Sequence, residues 1–226
     1  MIFDNLRNNI DFFIRNKTKF SRKNYIERDK TVLERVNREN LYINNIMERF
    51  FNSTKKDSIR TLDIGCKNWY YAKGQYAFYN KISETVYMDG VELDAYRLYY
   101  NFFSRYEVAK FYTKDIPNIN YIAGDLININ QKYDYITWIL PFVVIEPLKY
   151  WGLPVKYFCP EKLLEHAYSL LKTNGQLLII NQGENEAKAQ EKYLKKLKIP
   201  YKELGVIKSE YYEYQNKRYG FLITKQ

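Results

Sequence analysis

Three carboxylates close three short apolar runs in this sequence: Asp63 in Leu62-Asp-Ile-Gly-Cys66, Glu92 in Gly90-Val-Glu-Leu-Asp94, and Asp125 in Gly124-Asp-Leu126. Each run reads as a strand that breaks at a turn, so each acid would stand beside free backbone N–H groups and the start of a helix. A carboxylate accepts two hydrogen bonds from a vicinal diol, and an acid ending the second strand of a nucleotide-binding α/β fold does this to a ribose. Glu92 has that place, although it lies further from Asp63 than the roughly 20 residues typical of such folds. Asp63, at the rim of the Gly65 turn, could face a cationic ligand or orient the loop. Gly65 is the one glycine here of the G-x-G-x-x-G dinucleotide pattern, which counts against a nicotinamide cofactor.

Other chemistries have too few residues. One histidine, His166, and two unpatterned cysteines, Cys66 and Cys159, leave no zinc site, disulfide framework or Cys-His machinery, so no metal is expected. After the fourth strand, Glu146 and Tyr150 are the candidates for a catalytic base, against the plainer reading of a surface carboxylate and a packing tyrosine.

The elements that must position these residues alternate. Residues 1–58 read as a helical cap over the substrate side. It has a short helix from Asp4 to Asn16, a basic stretch from Arg15 to Tyr25, and an amphipathic helix from Thr31 to Phe51 on Val32, Val36, Ile43, Ile46, Met47 and Phe50. From 59 to 226 strand and helix alternate, which argues an α/β body with a largely parallel sheet. The strands are Ile59–Ile64, Val86–Asp94, Asn120–Leu126, Tyr133–Leu140 and Gln176–Asn181. Between them lie a helical segment within Trp69–Ser83, a helix from Ala95 to about Lys114 capped by Asp94, and one over Glu161–Lys172 closed by Asn174-Gly175. A helix over Ala187–Leu197 leads to a closing hairpin, Val206–Tyr214 and Lys217–Thr224, turning at Gln215-Asn216.

In order and spacing, residues 59–226 resemble the class I S-adenosylmethionine-dependent methyltransferases, a Rossmann-like fold of seven strands. Leu62-Asp-Ile-Gly-Cys66 is similar to the family's first motif, Gly90-Val-Glu-Leu-Asp94 to the second and Gly124-Asp-Leu126 to the third. The terminal antiparallel hairpin sets that fold apart from NAD-binding domains. The resemblance implies S-adenosylmethionine as cofactor, with Asp63, Gly65 and Cys66 at its methionine moiety. It places Glu92 and Leu93 at the ribose, and Asp125 and Leu126 at the adenine. Lys67 and Trp69 stand where relatives often carry further glycines. Ile139-Leu-Pro-Phe142 replaces the Asn/Asp-Pro-Pro-aromatic motif of amino-group enzymes, which argues against adenine N6 or a glutamine amide as acceptor.

The expected function is methyl transfer to a small molecule. An RNA methyltransferase, or a non-catalytic binding protein on the same fold, is the alternative. A formal charge of +10 invites nucleic acid, but abundant Tyr, Asn, Ile, Lys and Phe together look like an AT-rich coding bias that raises lysine by itself. The stretch Phe142–Phe158, with Tyr150, Trp151 and Tyr157, could line an apolar pocket or pack as core. No run near 18 apolar residues and no secretory leader are read, so a cytoplasmic protein without a membrane partner is expected.

Overall fold

The computed structural model of the chain describes residues 30–99 and 102–226. The Asp4–Asn16 helix and the basic stretch from Arg15 to Tyr25 lie outside the described residues. The described chain opens with helix α1 (Lys30–Phe50), followed by β1 (Lys56–Ile64), α2 (Ala72–Ile82), β2 (Ser83–Glu92), α3 (Arg105–Thr113) and β3 (Ile119–Ala123). Then come β4 (Tyr133–Ile139), α4 (Ile145–Tyr150), α5 (Pro160–Ser169), β5 (Leu171–Gln182), α6 (Gly183–Lys196), β6 (Lys202–Ile207) and β7 (Arg218–Thr224).

One seven-stranded sheet has the order β3-β2-β1-β4-β5-β7-β6. All neighbours are parallel except β7, which runs antiparallel to both β5 and β6. The chain winds outward through β2 and β3, then returns to the other side of β1 at β4. Order thus reverses between β1 and β4, and a crevice opens outside their carboxyl ends. The central strands are apolar on both faces because both are covered. Along β5, Leu178 and Ile180 join the cluster under α1 and α2, while Leu177 and Ile179 join the cluster under α5 and α6.

Helix α1 belongs to this core. Its stripe of Tyr42, Ile43, Ile46 and Met47 is buried against the sheet face and α2. Asn40 clasps the start of α2: its amide donates to the Tyr70 carbonyl at 2.9 Å and accepts from the Gly74 N–H at 2.6 Å. A Cβ on Gly74 would stand 2.2 Å from the Asn40 carbonyl oxygen, so only glycine lets the two helices approach so closely. Because α1 is followed almost at once by β1, it runs antiparallel to that strand, and its first half stands at the carboxyl edge of the sheet.

Three expectations are corrected. The helix after β2 begins at Arg105, not Ala95, because Ser104 and Glu107 form a reciprocal capping box there, while Asp94 spends its carboxylate on Arg97 and Arg105. Asn174-Gly175 does not close α5, which ends at Ser169 with Leu170 as its C-cap; the pair lies within β5 and exchanges backbone hydrogen bonds with Lys225. The hairpin's first strand is Lys202–Ile207. Residues 208–217 leave the sheet, and Tyr211, Tyr212 and Tyr214 pack on the α1 side, where their rings gain more burial than on an edge strand.

Candidate cofactor site

Asp63 ends β1 as a buried carboxylate with its own donors. Gln75 donates to Oδ1 at 3.0 Å, Thr137 donates to the same oxygen, and the Tyr71 hydroxyl donates to Oδ2 at 2.7 Å. Gln75 in turn accepts from the Trp69 indole at 2.7 Å. Trp69, fully buried, lies against Gly90 so closely that a Cβ there would meet its ring at 2.6 Å. The Gly65–Tyr71 loop is thus bound to β1, β2 and β4 through one carboxylate and one indole. Burial pushes the Asp63 pKa up to about 6 against the pull of those three donors, and the nearby Glu92 charge adds to the rise.

Glu92 ends β2 at the next position along the rim. Its Oε2 accepts from the Lys67 N–H at 2.9 Å, and Oε1 accepts from the Asp94 N–H at 2.8 Å and from Arg105 Nη1 at 3.1 Å. Arg105 is buried, and Asp94 Oδ2 lies 3.5 Å from the same Nη1. The Trp151 ring has the Lys67 ammonium at 4.6 Å and the Arg105 guanidinium at 5.1 Å from its centroid. Arg97 donates to the Trp151 carbonyl and so holds the segment after α4 over the end of β2. Burial, and then the neighbouring Arg105 cation, lower the Lys67 pKa.

Asp125 follows β3. Its side chain accepts from Ile127 N at 3.1 Å and caps a single 3₁₀ turn, Leu126–Asn128, that buries Leu126. Leu93 is exposed beside Glu92, and Cys66 is fully buried, where desolvation raises its thiol pKa. Gly65 (φ +70°) and Gly124 both have open space where a side chain would stand. The rim of three adjacent strands therefore brings Asp63, Gly65, Glu92, Leu93, Asp125 and Leu126 into one row.

The base candidates are not brought there. Glu146 is exposed in the first turn of α4, and Tyr150 is 90% exposed. Of the aromatics between 142 and 158, Trp151 packs on Lys67 and Arg105 rather than joining the other two in a pocket wall. The polar partners of the site, Tyr71, Gln75, Thr137 and Arg105, carry no motif. Lys67 was visible only as a departure from a glycine loop. Among the described residues no His/Cys/Asp/Glu group could hold a metal ion. No helix among them is long and apolar enough to cross a membrane.

No family model and no curated protein matches this sequence. Solved structures do. A SAM-dependent methyltransferase from Aquifex aeolicus superposes with a TM-score of 0.56 at 14% identity, over 91% of this chain and 99% of that one. Precorrin-6y C5,15-methyltransferase from Geobacter metallireducens gives 0.54 at 10% identity, over 81% of this chain and 87% of that one. Magnesium protoporphyrin IX methyltransferase from Synechocystis PCC 6803, with SAH bound, gives 0.52 at 9% identity over 88% of each chain. With its sheet order β3-β2-β1-β4-β5-β7-β6, its antiparallel β7 and these neighbours, the chain has the Rossmann-like fold of the class I S-adenosylmethionine-dependent methyltransferases.

Proposed function

We propose that this chain is an S-adenosylmethionine-dependent methyltransferase acting on a small molecule. One observation carries the reading: Asp63, Glu92 and Asp125 end three adjacent strands beside the point where the sheet order reverses, with open space at Gly65 and Gly124. That is where an open α/β sheet takes a nucleotide-like ligand. In this reading Glu92 takes the ribose hydroxyls by giving up Arg105, which keeps Asp94 as its partner. Asp125 receives the adenine amino group, with Leu93 and Leu126 beside the ring. Asp63 acts on the loop, because all three of its hydrogen bonds hold Tyr71, Gln75 and Thr137 in place; Gly65 and Cys66 supply backbone to the methionine moiety.

The bound cofactor supplies an activated methyl group. What remains for the chain is to hold an acceptor in line, an effect worth up to about 7–11 kcal/mol in well-oriented systems. The acceptors named for two neighbours, a precorrin and a protoporphyrin, support a small molecule. RNA remains the competing acceptor on account of the +10 charge. Incubation of cell extract with methyl-labelled cofactor, followed by separation of small molecules from RNA, decides between them. Label in the small-molecule fraction is expected; label in RNA would reverse the choice.

A second reading, a non-catalytic binding protein, is favoured by the filled state of Glu92, whose three donors and Trp151 neighbour already occupy the end of β2. It predicts no heat on titration with S-adenosylhomocysteine even at millimolar ligand.

A further inference from the structure

We propose that Trp151 is a plug over the cofactor site: the chain is closed at Glu92 in this conformation, and ligand enters only after the tip of the 141–159 strap swings out. The plug rests on the reading of Glu92 as the ribose-binding carboxylate, and its test fails separately from that reading.

Glu92 is 7% exposed, and both of its oxygens are already bonded, to the Lys67 and Asp94 N–H groups and to Arg105. A ribose cannot reach a carboxylate in that state, so something must move first. What covers Glu92 is a closed ring of contacts. Lys67 runs from its N–H on Glu92 Oε2 to its ammonium 4.6 Å from the centre of the Trp151 ring. Arg105 runs from Glu92 Oε1 to the same ring, at 5.1 Å. The indole therefore bridges the two side chains that flank the carboxylate, across the end of β2. Lys67 takes its part in this from φ +57°, a left-handed backbone that residues other than glycine seldom adopt.

The tip that carries Trp151 is held lightly. Leu148 is buried and fixes α4 to the body, but among the described residues Trp151 joins neither core cluster, and Tyr150 and Val155 on either side of it are exposed. Gly152 follows at φ +67°, and a Cβ there would have only the Arg97 guanidinium within 4 Å, so the chain can turn at this point without displacing packed groups. The tether is polar: Arg97 donates to the Trp151 carbonyl. The two cations that share the indole also oppose each other; burial, and then the Arg105 charge, lower the Lys67 pKa. Cation–π contacts are modest beside the burial of a core side chain, so this closure is of a strength that a ligand can displace. Release of Trp151 uncovers Glu92 and lets Arg105 turn wholly to Asp94. The parent's affinity is then the intrinsic affinity reduced by the fraction of chains that are open.

The test is calorimetric titration of the full chain, of Trp151→Ala and of Lys67→Gly with S-adenosylhomocysteine. Glycine at 67 keeps the left-handed backbone and its N–H on Glu92 while removing the ammonium from the indole. Both variants should bind about tenfold or more tightly than the parent, because neither has a complete plug to displace. Unchanged or weaker binding by either variant overturns the plug and leaves the cofactor site standing. Absence of binding by the parent and both variants at millimolar ligand removes the cofactor reading and the plug with it. If Trp151→Ala does not fold, Arg97→Gln cuts the tether with the indole still present: tighter binding is expected, and an affinity equal to the parent's overturns the proposal.

Discussion

Asp63 and Glu92 could be found in the sequence because each follows an apolar run and stands at a turn. Their partners could not. Gln75, Thr137 and Arg105 come from three different elements and reach the carboxylates only through the packing of α2, β4 and α3. The use of Asp63 follows from those partners: a carboxylate with all its bonds inside the protein shapes a loop. Its pKa, raised from 3.8 to about 6, means the folded protein binds this proton more tightly than the unfolded chain does. The stabilisation is complete below about pH 4 and is lost as pH rises through 6, a swing of about 3 kcal/mol at most. Denaturant unfolding at pH 4 and pH 7 should show Asp63→Asn removing most of that swing; an identical pH dependence in the variant contradicts it. Trp151 offers a second check. Trp69 and Trp138 are buried, so Trp151, between Lys67 and Arg105, is the indole most open to change. Its fluorescence should shift when S-adenosylhomocysteine binds, and Trp151→Ala should abolish the shift. A shift that survives this substitution would place the ligand elsewhere.

At the scale of elements, apolar periodicity located the strands and α1 to within a few residues, because burial on two faces or one stripe imposes it. Errors fell where a local signal had two uses. Asp94 has the type of an N-cap, yet it serves arginines, and the helix waits for Ser104. Tyr211, Tyr212 and Tyr214 have strand-like composition, yet ring burial on the α1 side outweighs an edge pairing. Two substitutions test these junctions. Ser104→Ala breaks the capping box and should cost about 1 kcal/mol in chemical unfolding without affecting ligand affinity. Gly74→Ala drives a Cβ into the Asn40 carbonyl and should cost about 1–3 kcal/mol by forcing α1 from α2. A neutral Gly74→Ala would mean that the helices do not pack as described.

For the whole molecule, alternation of strand and helix made the α/β class and the terminal hairpin legible. Strand order is another matter: it depends on which edge each crossover takes, which no local signal in the sequence carries. Among the described residues, α1 shares its core with α2 and the sheet. The central claim, a cofactor site along the ends of β1, β2 and β3, is tested most directly by calorimetric titration of the intact chain with S-adenosylhomocysteine, repeated on Glu92→Gln. The account predicts one molecule bound per chain, with affinity falling roughly ten- to a hundredfold in Glu92→Gln, as loss of a charge-assisted hydrogen bond of about 1.5–3 kcal/mol requires. A folded protein that takes up no ligand at millimolar concentration, or a Glu92→Gln variant that binds as tightly as its parent, would contradict it.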